Sequence, residues 1–252
     1  LSDFPPVLQS WFDKAEKAAR EALRLDSRNA DGKLALADIQ RYRGNWAEAE
    51  ELFRQTLALD ANNPDVLNRY GVFLSSVGRV KETLKVRERV RLLEPFVPAY
   101  TNGLTRTMED LGQYRASILI LEPLPAGNNR NINLARAYAS LGQYAKAADA
   151  LLAIPQTQDQ AYRRNVEDAA RVLRNAPAKS ASPDGLPDLR FGLIFVYAHI
   201  GALDRVLAYN ERLVSFGFIA GLGDLWATEY APARKTHRFK TLIRKVGLVD
   251  YW

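Results

Sequence analysis

Glycines stand at positions 44, 78 and 112, two intervals of 34 residues, and return at 142 and 201 after 30 and 59. Two residues after the first four comes an aromatic or apolar side chain (Trp46, Val80, Tyr114, Tyr144). Five residues after them comes a small one (Ala49, Thr83, Ser117, Ala147). A fixed period of this length means stacked copies of one supersecondary unit, each contacting its neighbours, with the core drawn out as a ribbon along the stack. It excludes a fold built around one central core.

Within each period the apolar residues recur at helical spacing. From Val7 to Leu25 a stripe of Trp11, Ala15, Ala18, Ala19, Ala22 and Leu23 predicts a helix that Asp26-Ser27-Arg28-Asn29 ends, a partial unit over about 7–29. Residues 30–63 make the first complete unit: a helix with Leu36, Ala37 and Ile39, a turn at Gly44-Asn45, then a helix with Ala49, Phe53 and Leu57. The units at 64–97 and 98–127 open on Pro64 and Pro98, where a missing N–H at a helix start costs nothing, and Pro123 and Pro125 shorten the second of them. Unit 128–155 turns at Leu141-Gly142-Gln143-Tyr144, nearly repeating Leu111-Gly112-Gln113-Tyr114.

These units resemble tetratricopeptide repeats, helix-turn-helix modules of 34 residues. With Ala30 as position 1, the family's small residue at position 8 is Ala37, Gly71, Thr105 and Ala135, its turn glycine at 15 is Gly44, Gly78, Gly112 and Gly142, and its Ala at 20 is Ala49, Thr83, Ser117 and Ala147. The chemistry explains the pattern: glycine takes the left-handed conformation that ends the first helix, and the small residues let paired helices approach closely. The resemblance implies an all-α, right-handed superhelical solenoid, expected here as one domain over 1–252.

The cadence breaks at 156–186, where Gln158 to Asn175 reads as a single inserted helix and Ala176 to Pro187 as a mobile loop. A divergent unit is expected over 187–216, with Leu193, Ile194 and Tyr197 before Gly201 and Val206, Tyr209 and Leu213 after it. In the last segment, 217–252, Phe239, Leu242, Ile243 and Val246 form one helical stripe, which predicts a helix capping the open apolar end of the array. The run from Leu225-Trp226 through Arg238-Phe239 to Gly247-Leu248 and Tyr251-Trp252 resembles the tail of bacterial tetratricopeptide proteins that carry winged-helix or adenylate cyclase domains.

Charge localises a second feature. The net +6 arises wholly from Arg234, Lys235, Arg238, Lys240, Arg244 and Lys245, since no acid occurs between 231 and 249. The body is balanced and exerts no general pull on polyanions, so the alternative to a protein-binding scaffold, a nucleic-acid-associated regulator, would rest on this basic tail alone. There is no cysteine and there are two histidines, which leaves no thiolate metal site and makes a metal cluster improbable. No apolar run reaches the roughly 20 residues of a membrane span. The first residues lack a signal-peptide pattern, so the chain is expected to be cytoplasmic; its start on Leu1 suggests a processed or truncated product.

No catalytic constellation is legible. Gly221-Leu222-Gly223 lacks the third glycine and preceding strand of a dinucleotide loop, and neither His199 nor His237 has a nucleophile at motif spacing. No cofactor and no enzymatic activity are expected. The resemblance points instead to a protein or peptide partner held in the groove that first helices line with positions 2, 5, 9, 12 and 13. Those positions carry Asp31, Asp38, Arg41, Tyr42, Asn68, Asn102, Arg106, Asn129, Arg136, Phe191 and Phe195. Asn can bond both groups of an extended backbone and Arg can fork a carboxylate. The expected partner contacts are Arg41, Tyr42, Asn68, Asn102, Arg106, Asn129 and Arg136. The Lys, Asn and Arg register of chaperone-binding members is absent, as Val72 and Gly103 show.

Overall fold

The structure, a computed structural model, describes residues 4–155, 158–176, 185–190, 192–217 and 219–252. All regular structure among the described residues is helical. In chain order the α-helices are α1 (Phe4–Leu25), α2 (Ala30–Arg43), α3 (Trp46–Leu59), α4 (Pro64–Ser76), α5 (Val80–Leu93), α6 (Pro98–Asp110), α7 (Tyr114–Leu121) and α8 (Asn128–Ser140). They continue as α9 (Tyr144–Leu152), α10 (Gln160–Arg174), α11 (Phe195–His199), α12 (Leu203–Ser215), α13 (Ala231–Arg234), α14 (His237–Lys245) and α15 (Leu248–Tyr251). Two 3-10 segments, Ile219–Trp226 and Thr228–Tyr230, precede α13. The chain divides into two compact units: residues 1–100, 209–226 and 236–252, and residues 101–208 and 227–235.

In the first unit, local chemistry sets the helix ends. Asn29 accepts from the Gly32 N–H at 2.7 Å and Asn63 from the Asp65 and Val66 N–H groups at 3.1 and 3.2 Å, filling donors that helix starts leave unpaired. Gly44 ends α2 at φ 78, a left-handed conformation open to glycine without a Cβ clash. Pairing then buries the small positions: Ala37 and Ala49 are fully enclosed where α2 meets α3. Phe53, Tyr70 and Phe73 join in ring contacts with centroids 5.5–6.0 Å apart. Gly71 is small for a different reason, since an added Cβ would stand 3.1 Å from Nε of Arg87.

The C-terminal residues of this unit, expected as a cap on the end of the array, bond both to α12 and to units 30–63 and 64–97. The stripe of Phe239, Leu242, Ile243 and Val246 is buried, and Arg238 ties α14 to Glu211 of α12 at 2.7 and 2.6 Å. Other hydrogen bonds of these residues reach units 30–63 and 64–97. The Trp46 indole donates to the Val246 carbonyl at 2.7 Å, Trp252 to the Val77 carbonyl at 3.0 Å, and Trp226 to the Ser76 carbonyl at 3.2 Å. Tyr251 donates to Glu50 at 2.7 Å. The turn glycines permit this: a Cβ at Gly44 would lie 3.3 Å from the Val246 carbonyl oxygen, and one at Gly78 3.1 Å from the Trp226 ring.

In the second unit α8 pairs with α9 and α9 with α10, enclosing Ala135, Ala147, Leu151, Val166, Ala169, Ala170 and Leu173. The inserted helix begins at Gln160, capped by Asp159, whose side chain accepts from the Ala161 and Tyr162 N–H groups. The expected mobile loop falls mostly at 177–184, outside the described residues. The first helix of the divergent unit shrinks to the five residues of α11, because Gly192 at φ 84 interrupts the chain just before it. Ahead of it Tyr197 receives the Leu189 N–H at 2.8 Å and donates to the Pro187 carbonyl, fixing residues 187–190 against the helix.

Candidate functional site

The expected partner contacts fall in different surroundings. In the first unit Arg41 is buried, with its guanidinium 3.1 Å from Asp38 and 4.4 Å from the Tyr42 ring centre. Tyr42 is half-buried and meets Phe12 of α1, centroids 5.1 Å apart. Asn68 is half-buried and accepts from Arg87, whose guanidinium burial lowers its pKa to about 10. Asp31 is exposed.

In the second unit Asn129 is exposed, and Asn102 and Arg106 are half-buried. The Asn102 backbone carbonyl takes the Asn133 amide at 3.1 Å, while its own side-chain oxygen is buried without a hydrogen-bond partner. Arg106 lies 3.3 Å from Asp110. Arg136 departs most from expectation: it is 0% exposed, so it cannot serve as an open contact. Phe195 is likewise enclosed in the core, and Phe191 lies outside the described residues.

Arg136 is the centre of a buried charge cluster. Its Nη2 donates to Asp110 at 2.8 Å and its Nε to Glu229, which the 3-10 segment Thr228–Tyr230 delivers. Its Nη1 stands 3.8 Å from Glu109, and neither that nitrogen nor Oε2 of Glu109 has a hydrogen-bond partner. The environments push the carboxyls apart. Burial raises Glu109 to about 8, and the Arg136 charge and the Ser117 hydrogen bond offset it only in part. Burial also pushes Glu229 up, but the Arg136 charge and hydrogen bond outweigh it and hold the carboxyl below its usual range. With Glu109 protonated, Arg106 and Arg136 face Asp110 and Glu229, two charges against two.

Sequence reasoning passed over Glu109 and Asp110, although they occupy positions 12 and 13 of their first helix, the register of Arg41 and Tyr42. Glu229 carries no such signal, because it lies outside the repeats. Next to it Thr228 meets Tyr114 through their hydroxyls and approaches Gly112, whose added Cβ would be 3.8 Å away.

A pH-dependent stability follows from Glu109. Its folded pKa lies above the unfolded value, so the stability it contributes is full below pH 4.5 and is lost as pH rises through about 8. Glu109→Gln keeps an oxygen for the Ser117 hydroxyl, which now donates to Glu109 at 2.6 Å. The variant is expected to match the wild type near pH 5 and to exceed it by about 2–4 kcal/mol at pH 8. Urea melts at the two pH values check this, and parallel stabilities would refute it.

His199 is structural in its setting. It packs against Phe195 and Tyr144 with ring centroids 6.1 Å away in each case, and burial lowers its pKa. Of the basic tail, Arg238 is paired with Glu211 and Arg234 donates to the Ala227 carbonyl at 2.7 Å. Lys235, Lys240, Arg244 and Lys245 are exposed. No helix among the described residues is long and apolar enough to cross a membrane.

Comparison with known proteins fits this architecture. Residues 34–67 match the tetratricopeptide repeat family model. A stretch of 100 residues is 34% identical to the type IV pilus assembly protein PilF of Pseudomonas aeruginosa, covering 40% of this chain and 38% of that protein. The match therefore spans less than two-fifths of that relative's length. Two solved structures share the fold. PilW, a widely conserved type IV pilus biogenesis factor, aligns with a TM-score of 0.55 and 16% identity over 94% of this chain and 93% of its own. Pseudomonas aeruginosa PilF aligns with a TM-score of 0.51 and 18% identity over 90% of this chain and 91% of its own. Repeat register, all-helical pairing and these likenesses agree: the chain is a tetratricopeptide repeat protein.

Proposed function

We propose that this protein is a protein-binding scaffold in the assembly of a type IV pilus. The observation that carries the reading is the 100-residue identity of 34% to PilF; the two pilus proteins sharing the fold agree with it. Binding uses first-helix faces, with Tyr42, Asn68, Asn102, Arg106 and Asn129 as the polar contacts, because these side chains keep some exposure at repeating positions. Asn102 and Asn129 keep part of their side chains open to solvent, and an amide can both donate to and accept from a partner's backbone. Arg41 and Arg136 drop out as first contacts because they are buried.

Deleting the gene in its host is expected to abolish surface pili seen by electron microscopy. Restoring it as an Asn102→Ala, Asn129→Ala double variant should return less than a tenth of them at normal protein levels. Full piliation of the deletion strain would refute the reading. The same strains separate the expected cytoplasmic placement from the envelope placement that a pilus role favours, by fractionation. The names of the relatives give no support to nucleic acid as a partner of the basic tail.

A further inference from the structure

The segment after α12 behaves toward the repeats as a bound peptide does. It contains no α-helix longer than four residues between Ile219 and Lys235, and within each unit it lies against turn glycines. In the first unit Ile219 lies against Gly44 and Trp226 against Gly78. In the second, Thr228 lies against Gly112 and Tyr114, and Glu229 enters the site of Arg136. At the equivalent turn, Gly142, no described residue comes within 4 Å of an added Cβ.

Resting on the scaffold reading above, we propose that Ala227–Tyr230 is a resident ligand. It occupies in cis the seat at Arg136 that a partner takes with the same chemistry, a carboxylate side chain followed by an aromatic. Three features carry this. Arg136 stands at position 9 of its first helix, and of its two carboxylate partners only Asp110 belongs to the repeats, Glu229 coming from outside them. The seat is imperfectly filled, for Glu229 Oε2, Arg136 Nη1 and Glu109 Oε2 are all buried without hydrogen-bond partners. A buried ion pair adds little net stability even where breaking it is costly, so an incoming carboxylate exchanges for Glu229 at small net change, whereas an apolar contact gives no such exchange.

The test uses the full chain and a fluorescent peptide with the sequence of residues 227–235, Ala-Thr-Glu-Tyr-Ala-Pro-Ala-Arg-Lys. The tethered copy competes at an effective concentration on the order of millimolar, so the wild type binds the peptide weakly. Glu229→Gln keeps the side chain's shape and weakens the tethered copy, and peptide affinity by anisotropy is expected to rise at least tenfold. A peptide with Gln in place of its Glu should lose that gain. Equal affinity for wild type and Glu229→Gln overturns the proposal. In the wild type, the Tyr230 and Lys235 amides, bonded to the Ala227 and Pro232 carbonyls, should exchange with deuterium at least tenfold faster than those of α8. Exchange of both sets at one common rate marks the segment as an integral part of the unit and also overturns it. The peptide reports on the seat alone, so a normal pilus phenotype in the deletion strain would refute the pilus role without touching this result.

Discussion

Replacing Arg136 by Ala is expected to lower the unfolding free energy by about 3–5 kcal/mol at neutral pH. The side chain is wholly enclosed, and removing it leaves Asp110 and Glu229 as buried carboxylates whose nearest cation is gone. Lost packing also contributes, so the charge share needs its own measurement. A variant in which Arg136→Met is joined by Glu229→Gln and Glu109→Gln, with Asp110 left to Arg106 at 3.3 Å, leaves no unpaired charge in the cluster and should recover most of the loss. The deficit of Arg136→Ala should also shrink as pH falls. Without the arginine, only Arg106 and a backbone hydrogen bond oppose burial at Glu229, so its folded pKa rises and protonation at acid pH removes the unpaired charge. Urea denaturation at pH 7 and pH 5 reads both effects. A triple variant as unstable as the single one, with no pH dependence, would mean that shape rather than charge sets the role of Arg136.

The repeats were legible because their determinants are local and recur. Gly44, Ala37 and Ala49 each answer to a contact within one unit, and the period exposes all of them at once. The burial of Arg136 was not legible from that register. Position 9 of a first helix is polar or exposed when nothing lies over it, and what lies over Arg136 is Glu229, 93 residues away in the chain. Likewise the stripe from Phe239 to Val246 announced a buried helix but not its neighbours, since a stripe states how much surface must be covered and not which surface covers it. The hydrogen bonds from Trp226 and Trp252 to carbonyls at Ser76 and Val77 depend on backbone acceptors, which every residue offers and no sequence marks. The shortening of α11 had a visible cause in Gly192, but a lone glycine is equally compatible with a turn inside a longer element.

Ala49→Arg is expected to be the most damaging substitution at a small position. Ala49 is 0% exposed, one turn into α3, where that helix lies against α2 and fellow core residue Ala37 is equally enclosed. An arginine there has two courses. It forces α2 and α3 apart, straining a packed interface by about 1–3 kcal/mol, or it buries a guanidinium with no carboxylate assigned to it, which costs several kcal/mol more. Either way the loss should exceed about 3 kcal/mol, a large part of the stability of a domain this size. Ala49→Ser separates the causes, since it adds one atom whose hydroxyl can bond the carbonyl of Asn45 a turn earlier, and it should cost under about 1.5 kcal/mol. Thr83 and Ser117 stand buried at the same position in the following repeats, and the Thr83 hydroxyl already bonds the Arg79 carbonyl four residues back at 3.1 Å. Thermal melting of the two variants decides: if Ala49→Arg melts with the wild type, α2 and α3 do not pair through this residue and the repeat register is wrong.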